Sequence, residues 1–268
     1  MFFLGSSWLE RHELLLMLVV RNVKIRYKNS VLGFFWSLLT PICFIAIYAL
    51  FAGILGIRTS MIGGEPFDFM PYLITGIIVW QYTATCFNDA LHAITGNANL
   101  IKKARFPRLL LPLAMVLANA FNFLLTLLVL LVYLACTRPV FGSLGWLPLA
   151  LLTQTALCLG LALLIATANV FFRDTEHMAG MASMAWFFLT PVFYPVARQI
   201  EFLAAHPVAP WLVYLNPMTG ILSAYRAFFL GQAPAAGGFA ISAAVAVGLL
   251  AAGLALFQSA EGRFGDVL

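Results

Sequence analysis

A basic run abuts a long apolar run near the start of the chain, and that junction limits what can fold from it. Arg21, Lys24, Arg26 and Lys28 come first, and residues 33–57 then pass without a charge. About 20 apolar residues cross a bilayer as a helix. Basic residues placed directly before such a stretch hold that end in the cytoplasm. The rest of the sequence repeats the theme. Only 9% of its residues are charged and 63% are hydrophobic, against about 25% charged in ordinary soluble domains. A soluble fold could not cover so much apolar surface with so few charges, so the chain reads as an all-α integral membrane protein. The formal charge of +5 is not a nucleic-acid signal. Its basic residues sit at the ends of apolar runs, where they set topology and meet anionic lipid.

Residues 8–28 carry an apolar stripe (Trp8, His12, Leu15, Val19, Val23, Tyr27) beside a basic one (Arg21, Lys24, Lys28). This is the pattern of an amphipathic helix lying at the membrane interface; a solvated basic face is the alternative. Residues 1–32 are therefore expected to form a cytoplasmic interface helix and 33–268 a transmembrane domain. Six transmembrane helices are expected: 33–57 with a kink at Pro41, 69–87, 109–135, one within 145–172, 178–194 closed by Pro191 and Pro195, and 239–257. Residues 58–68 read as a short polar loop and 261–268 as a polar tail. Asn216 and Pro217 read as a helix N-cap and first-turn proline, and Gly231 as the stop. The helix between them is about 14 residues at most, short for a crossing. It reads as a re-entrant or interfacial helix between the fifth and sixth spans, with 198–206 as its partner. In the last span Ala240, Ala244, Gly248 and Ala252 recur every fourth residue, a spacing that permits close helix packing.

Six spans place both ends on one side. Arg11, Arg21, Lys24, Arg26, Lys28, Lys102, Lys103, Arg105, Arg108, Arg173 and Arg263 fall on that side, and Arg58, Arg138, Arg198 and Arg226 on the other. Both termini are therefore expected in the cytoplasm. The stretch 14–20 is too short for a signal peptide, and Glu10 and Glu13 precede it where positive charge is expected. Cys43, Cys86, Cys136 and Cys158 lie in or beside apolar runs without a CxxC pair and read as buried small hydrophobes.

No phosphate-binding loop of the form GxxxxGK[ST] occurs, no HExxH suggests a metal, and the four histidines are scattered. An enzyme is not expected, nor a metal, nor a cofactor bound by this chain. No span carries a charge near its middle, as ion-coupled transporters and proton relays do. If the protein moves something, a partner should supply the energy. Aromatic residues recur at helical spacing in two spans: Phe44, Tyr48 and Phe51 in the first, and Phe187, Thr190 and Tyr194, preceded by Ser183, in the fifth. Rings mixed with hydroxyls suit a sugar, whose C–H face stacks on them. Ordinary packing with an interfacial aromatic belt is the other reading.

The segment 21–42, RNVKIRYKNSVLGFFWSLLTPI, resembles the N-terminal signature of the type-2 ABC exporter permeases that move polysaccharides. Arg21, Lys24, Arg26, Tyr27, Ser30, Leu32, Gly33, Trp36 and Pro41 carry the match. The segment 97–113, NANLIKKARFPRLLLPL, is similar to the loop after the family's second span, with Ile101, Lys102, Lys103, Phe106, Pro107 and Pro112 matching. NVFFRD (169–174), TPVFYP, the Asn216–Pro217 pair and the terminal RFGDVL also fit, so the resemblance covers essentially the whole chain. It is nearest to the O-antigen permeases; capsular polysaccharide and teichoic-acid permeases are close relatives. The resemblance implies a homodimer of permeases in the bacterial inner membrane with two separate ABC ATPase subunits that bind ATP and magnesium. It implies a polysaccharide carried on undecaprenyl diphosphate. It also implies an ATPase coupling loop over 93–108, with Asn97, Ile101, Lys102, Lys103, Arg105 and Phe106, and a smaller contact at Arg173 and Asp174. A periplasmic gate is implied over 196–231, and a channel lined by aromatics of the first and fifth spans. Arg21, Lys24, Arg26 and Lys28 would then receive the lipid diphosphate through charge-assisted hydrogen bonds. A non-transporting scaffold of a glycan synthase complex is the reading from another class. A drug or haem exporter of the same plan is disfavoured by the signature around Ser30 to Trp36.

Overall fold

The computed structural model describes residues 8–28, 30–56, 59–62, 65–103, 106–137, 141–172, 174–205 and 209–268. Eleven α-helices occur among them. They are α1 (Trp8–Arg26), α2 (Trp36–Leu55), α3 (Phe69–His92), α4 (Ala98–Lys103), α5 (Leu110–Thr137), α6 (Trp146–Phe171), α7 (Thr175–Leu189), α8 (Val196–Ala204), α9 (Pro217–Phe229), α10 (Ala236–Ala260) and α11 (Phe264–Val267). Among the described residues three helices are long and apolar enough to cross a membrane: α5, α6, and α10 with the turns that follow it; α2 is apolar but shorter over its described part.

The connection after α2 is not a plain loop. Thr59–Ile62 and Glu65–Asp68 form an antiparallel hairpin, β1 and β2, with Thr59 opposite Asp68 and Ile62 opposite Glu65. It is the one addition to an otherwise helical fold among the described residues.

α6 is the hub, packing against α10, α3, α9, α5 and α7. Its approach to α10 is set by two glycines. A Cβ on Gly160 would stand 2.6 Å from the Leu250 backbone nitrogen, and one on Gly253 would stand 2.6 Å from the Gly160 carbonyl oxygen. Gly238, Ser242, Ala246, Gly253 and Phe257 form the buried face of α10. The expected stripe of Ala240, Ala244, Gly248 and Ala252 is instead exposed. Both faces of α10 carry small residues at helical spacing, so the period alone does not choose between them. α6 is also tied to α3: Gln154 Nε2 donates to the Val79 carbonyl at 2.8 Å and to Thr83 Oγ1 at 2.9 Å. Such interhelical bonds in membrane proteins contribute about 0.6 kcal/mol each on average.

α1 buries Leu18 against the core and packs on α5, with Leu14, Leu15 and Val19 half-buried beside it. Its inward face thus centres one residue before the expected stripe member Val19, and His12 faces out. Leu16, Met17, Val20 and Ile25 remain exposed, which leaves an apolar strip beside the basic residues.

Two expected boundaries shift. α3 continues past Asn88 and Asp89 to His92. The fifth apolar run is helical only to Leu189, and Thr190 is extended (φ −89°, ψ 137°). A residue before proline is disfavoured in the helical region by the proline ring, so Pro191 ends α7 five residues early. By contrast, α9 is bounded as its capping residues dictate. The Asn216 side chain accepts from the Met218 backbone N–H at 3.1 Å, Pro217 opens the helix, and Gly231 takes φ +65° just beyond it. The final residues are not a free tail. Phe264 is fully buried beside Phe257 and Phe171, and the Arg108 guanidinium donates to the Glu261 carbonyl.

Candidate functional site

A cavity of about 360 Å³ opens where the end of α1 meets α2, α3 and α5. Arg26 stands at its wall, and its Nη2 donates to Asp89 Oδ2 and to Asn119 Oδ1, both at 2.5 Å. Asn119 Nδ2 donates to the same Asp89 oxygen at 3.0 Å. The Tyr27 hydroxyl donates to Asn122 Oδ1 at 2.9 Å; burial pushes its pKa up, so it stays a donor. Gln81, Thr85 and Thr126 add amide and hydroxyl groups, while Trp36, Phe44, Tyr82 and Phe123 supply rings. Tyr82 and Phe123 stack at 4.6 Å. A lining of one guanidinium, three amides, several hydroxyls and several aromatic faces can hold an anion beside a polyhydroxylated group. Arg26 already has a counter-ion, so an incoming anion must compete with Asp89. That pair is one-third exposed on each side and is worth about 0–1 kcal/mol, so the competition is winnable.

The sequence-expected residues divide among several places. Arg26 and Phe44 meet in this cavity. Tyr48 stacks on Phe44 with centroids 6.3 Å apart, and Phe51 is exposed. Lys24 and Lys28 are exposed and, with Arg21, border a shallow groove on α1 beside Leu16, Met17, Val20 and Ile25. Arg21 reaches the other way: its Nη2 donates to Asn97 Oδ1 at 2.8 Å. An interface residue and a coupling-loop residue are thus bonded to each other. Ile101 is buried and Phe106 packs against the core, whereas Lys102 and Lys103 are exposed. Asp174 is exposed at the start of α7, and the neighbouring Glu176 comes within 4.0 Å of His92. Arg105 and Arg173 lie outside the described residues.

Phe187, Thr190 and Tyr194 sit elsewhere. α7 packs on α3 and α6, while α2 packs on α3 and α5. Phe187 lies 5.3 Å from Trp80 and 5.0 Å from Phe193. Thr190 is fully buried; its hydroxyl donates to the Trp186 carbonyl at 2.7 Å and accepts from Asn216 Nδ2 at 3.0 Å. The Tyr194 hydroxyl donates to the Phe188 carbonyl at 2.8 Å.

Sequence reasoning missed two groups. Asp89, Asn119 and Asn122 had a readable signal: Asn119, Asn122 and Thr126 place polar atoms on one face of the apolar α5. Arg226 had none. Read as a charge on the far side of the membrane, it is buried in α9. Nη1 donates to the Tyr72 hydroxyl at 2.7 Å and the Pro191 carbonyl at 2.8 Å. Nη2 donates to the Val192 carbonyl at 2.9 Å, and the guanidinium carbon lies 3.4 Å from the centroid of the Tyr72 ring. One side chain therefore pins α9 to α3 and to the chain that follows α7.

These features define a multi-pass helical membrane protein with a polar cavity at the base of an amphipathic helix. The sequence profile of the ABC-2 type transporters matches residues 13–230, and the chain belongs to that family. It is 29% identical over 263 residues to the O-antigen export system permease protein RfbA of Klebsiella pneumoniae, covering 96% of this chain and 95% of that one. It is 32% identical over 255 residues to the protein of the same name from Myxococcus xanthus, covering 94% of each.

Proposed function

We propose that this chain is the membrane subunit of an ATP-driven exporter that carries undecaprenyl-diphosphate-linked polysaccharide, of the O-antigen kind, across the bacterial inner membrane. The observation that carries the reading is the match, over nearly the full length of both chains, to O-antigen export permeases. Six spans fit this role: α2, α3, α5, α6, α7 with residues 190–195, and α10, with both termini in the cytoplasm. Two copies form the path, and two ABC ATPase subunits, which bind ATP and magnesium, drive it. The exposed Lys102 and Lys103, with Asn97, Ile101, Arg105 and Phe106, form the principal ATPase contact, and Arg173 and Asp174 a lesser one. Residues 196–231 act as the outer gate.

In this reading the lipid slides along the exposed apolar strip of α1 while Lys24 and Lys28 attract its diphosphate. Arg26 then exchanges Asp89 for the phosphate, and the first sugars meet the amides and rings of the cavity. Closure of the ATPases presses on α4, and the Arg21–Asn97 bond passes the displacement to α1. Phe44, Tyr48, Phe51, Phe187, Thr190 and Tyr194 are proposed to line the glycan path. Stacking at each step must be weak enough to permit release, as conduction through several sites requires.

The test is ATPase turnover of the chain co-purified with its ATPase, with and without lipid-linked glycan. Stimulation by glycan is expected. Reversing Lys102 and Lys103 to glutamate should abolish co-purification while leaving the membrane subunit folded. A folded subunit that binds no ATPase at all would favour the scaffold role.

A further inference from the structure

A second cavity, of about 930 Å³, lies between α7, α8, α10 and the 3-10 turn Pro210–Leu215. Its chemistry differs from that of the first. The walls are almost wholly apolar, with Leu189, Phe202, Leu203, Leu212 and Leu249 among them, and a single cation, Arg198, stands on the lining. Arg198 is exposed and takes part in neither ion pair found among the described residues. Glu201, one turn along α8, is not paired with it. Gln199 also lines the cavity. Its Nε2 donates to the Leu189 carbonyl and the Tyr194 hydroxyl, but its Oε1 is buried and accepts nothing. Two lining side chains are large, apolar and outward-facing, Phe202 at 65% exposed and Leu215 at 48%, and Trp211 of the same 3-10 turn as Leu215 is 53% exposed. Exposed tryptophan and phenylalanine next to an arginine mark a surface that meets the lipid–water boundary.

We infer that this cavity is a binding site for an anionic phospholipid, with one acyl chain inside and the headgroup phosphate on Arg198. An apolar interior with one cation at its edge is complementary to a molecule that is hydrocarbon at one end and singly negative at the other. The unpaired Gln199 oxygen adds an acceptor for a headgroup or glycerol hydroxyl. A neutral lipid would fill the interior but leave Arg198 without its partner; an acidic peptide would satisfy Arg198 but not the walls. The site holds α8 to α7 and α10 through the lipid and so bears on the segment that the proposed function treats as a gate. It needs only a membrane setting, not a glycan substrate; Tyr194 also stands on this lining, so a lipid here would take that residue out of the proposed glycan path while leaving the rest of that reading untouched.

The experiment uses the full chain in lipid nanodiscs with a phosphatidylglycerol carrying a diazirine in one acyl chain, and a phosphatidylcholine with the same chain. After irradiation, labelled residues are mapped by peptide mass spectrometry. Phosphatidylglycerol adducts should concentrate at Leu189, Leu203 and Leu212 and exceed phosphatidylcholine adducts there. Arg198→Gln should reduce that preference about fivefold, the effect of one basic side chain at an anionic surface. Leu249→Trp should fill the interior and remove the adducts with Arg198 intact. Labelling spread evenly over lipid-facing positions, equal for both headgroups and indifferent to Leu249→Trp, overturns the inference. So does displacement of the label by stoichiometric undecaprenyl diphosphate, which would make this a substrate site. Disulfide trapping of Leu203→Cys between two copies would make it a subunit interface instead.

Discussion

Replacing Arg226 by methionine should destabilise the protein more than any other single change to a charged residue in the described structure. Methionine keeps an unbranched apolar stem but removes the guanidinium. That leaves the Pro191 and Val192 carbonyls, at 2.8 and 2.9 Å, without their donor. The Tyr72 hydroxyl loses the donor at 2.7 Å while keeping its own bond to the Tyr194 carbonyl at 3.0 Å, and its ring loses the cation at 3.4 Å. If the three short bonds are worth only the membrane-protein average, their loss costs about 2 kcal/mol. If each buried acceptor incurs its desolvation penalty of about 1–3 kcal/mol, the cost rises severalfold. The lower figure already corresponds to a fall in melting temperature of roughly 4–8 °C for a chain of this size. Tyr72→Phe keeps the ring but removes the bond from Arg226 and the hydroxyl's own bond to the Tyr194 carbonyl, so on the same average it should cost less, about 1 kcal/mol. Arg226→Lys should not rescue, because an ammonium cannot present the planar fork that reaches these partners together. Thermal unfolding of the detergent-solubilised protein, followed by the loss of the monodisperse peak, measures all three. An Arg226→Met melting temperature within about 1 °C of the parent would refute the reasoning, as would equal effects of the methionine and phenylalanine changes.

Other changes test other parts of the structure. Asp89→Asn removes the counter-charge of Arg26, so binding of a short-chain prenyl diphosphate should tighten several-fold at low salt and less at high salt; unchanged affinity at both would exclude Arg26 as the phosphate ligand. Gly253→Val should strongly impair folding, because its side chain would enter the Gly160 backbone, whereas Gly248→Val, with nothing within 4 Å, should be tolerated. Expression with a folding reporter separates the two, and equal behaviour would contradict the α6–α10 contact described here. Hydrogen exchange should be faster in α1 than in α9, since α1 exposes much of its surface and α9 is buried along most of its length; comparable protection would argue against the difference in anchoring.

What the sequence revealed, and what it hid, follows from the range over which each interaction acts. The bounds of α9 were legible because capping is local: Asn216 meets the amide two residues on, and Gly231 supplies its own left-handed turn. The end of α7 was half legible. Pro191 was visible as a stop, but the apolar composition of 190–194 carried the expected span past it. The buried face of α10 was not legible, because Ala240–Ala244–Gly248 and Gly238–Ser242–Ala246 are equally small and equally spaced. What selects between them is the Gly160 backbone on another helix. Arg226 was misplaced for the same reason. A lone arginine between apolar runs reads as a loop charge until Tyr72, 154 positions away, is seen to hold it. In the candidate site, Arg26 and Phe44 were legible as residue types at the right end of the first span. Their shared cavity was not, since Asp89, Asn119 and Asn122 arrive from α3 and α5.

The contrast between the two anchored regions bears on which part of the molecule can move. Arg21 and Arg26 lie five residues apart on one helix, a rise of roughly 7.5 Å. A displacement at Asn97 therefore reaches the cavity wall through a single rigid segment. Beside the apolar packing of α1 on α5, the polar links at these two arginines run from Arg21 to Asn97 and from Arg26 to Asp89 and Asn119. The ion pair among them is partly exposed and worth at most about 1 kcal/mol. Such links can exchange partners without opening the core, so α1 can shift while Leu18 keeps its packing. At α9 the arrangement is reversed. Arg226 is sealed among acceptors from two other segments, and breaking any of its bonds strands a buried polar group. A helix held in that way moves only together with its neighbours. If α4 is where the ATPases press, as proposed, the cavity at Arg26 should change first. The motion should reach the α7–α9 side as a shift of packed helices rather than as a hinge within them.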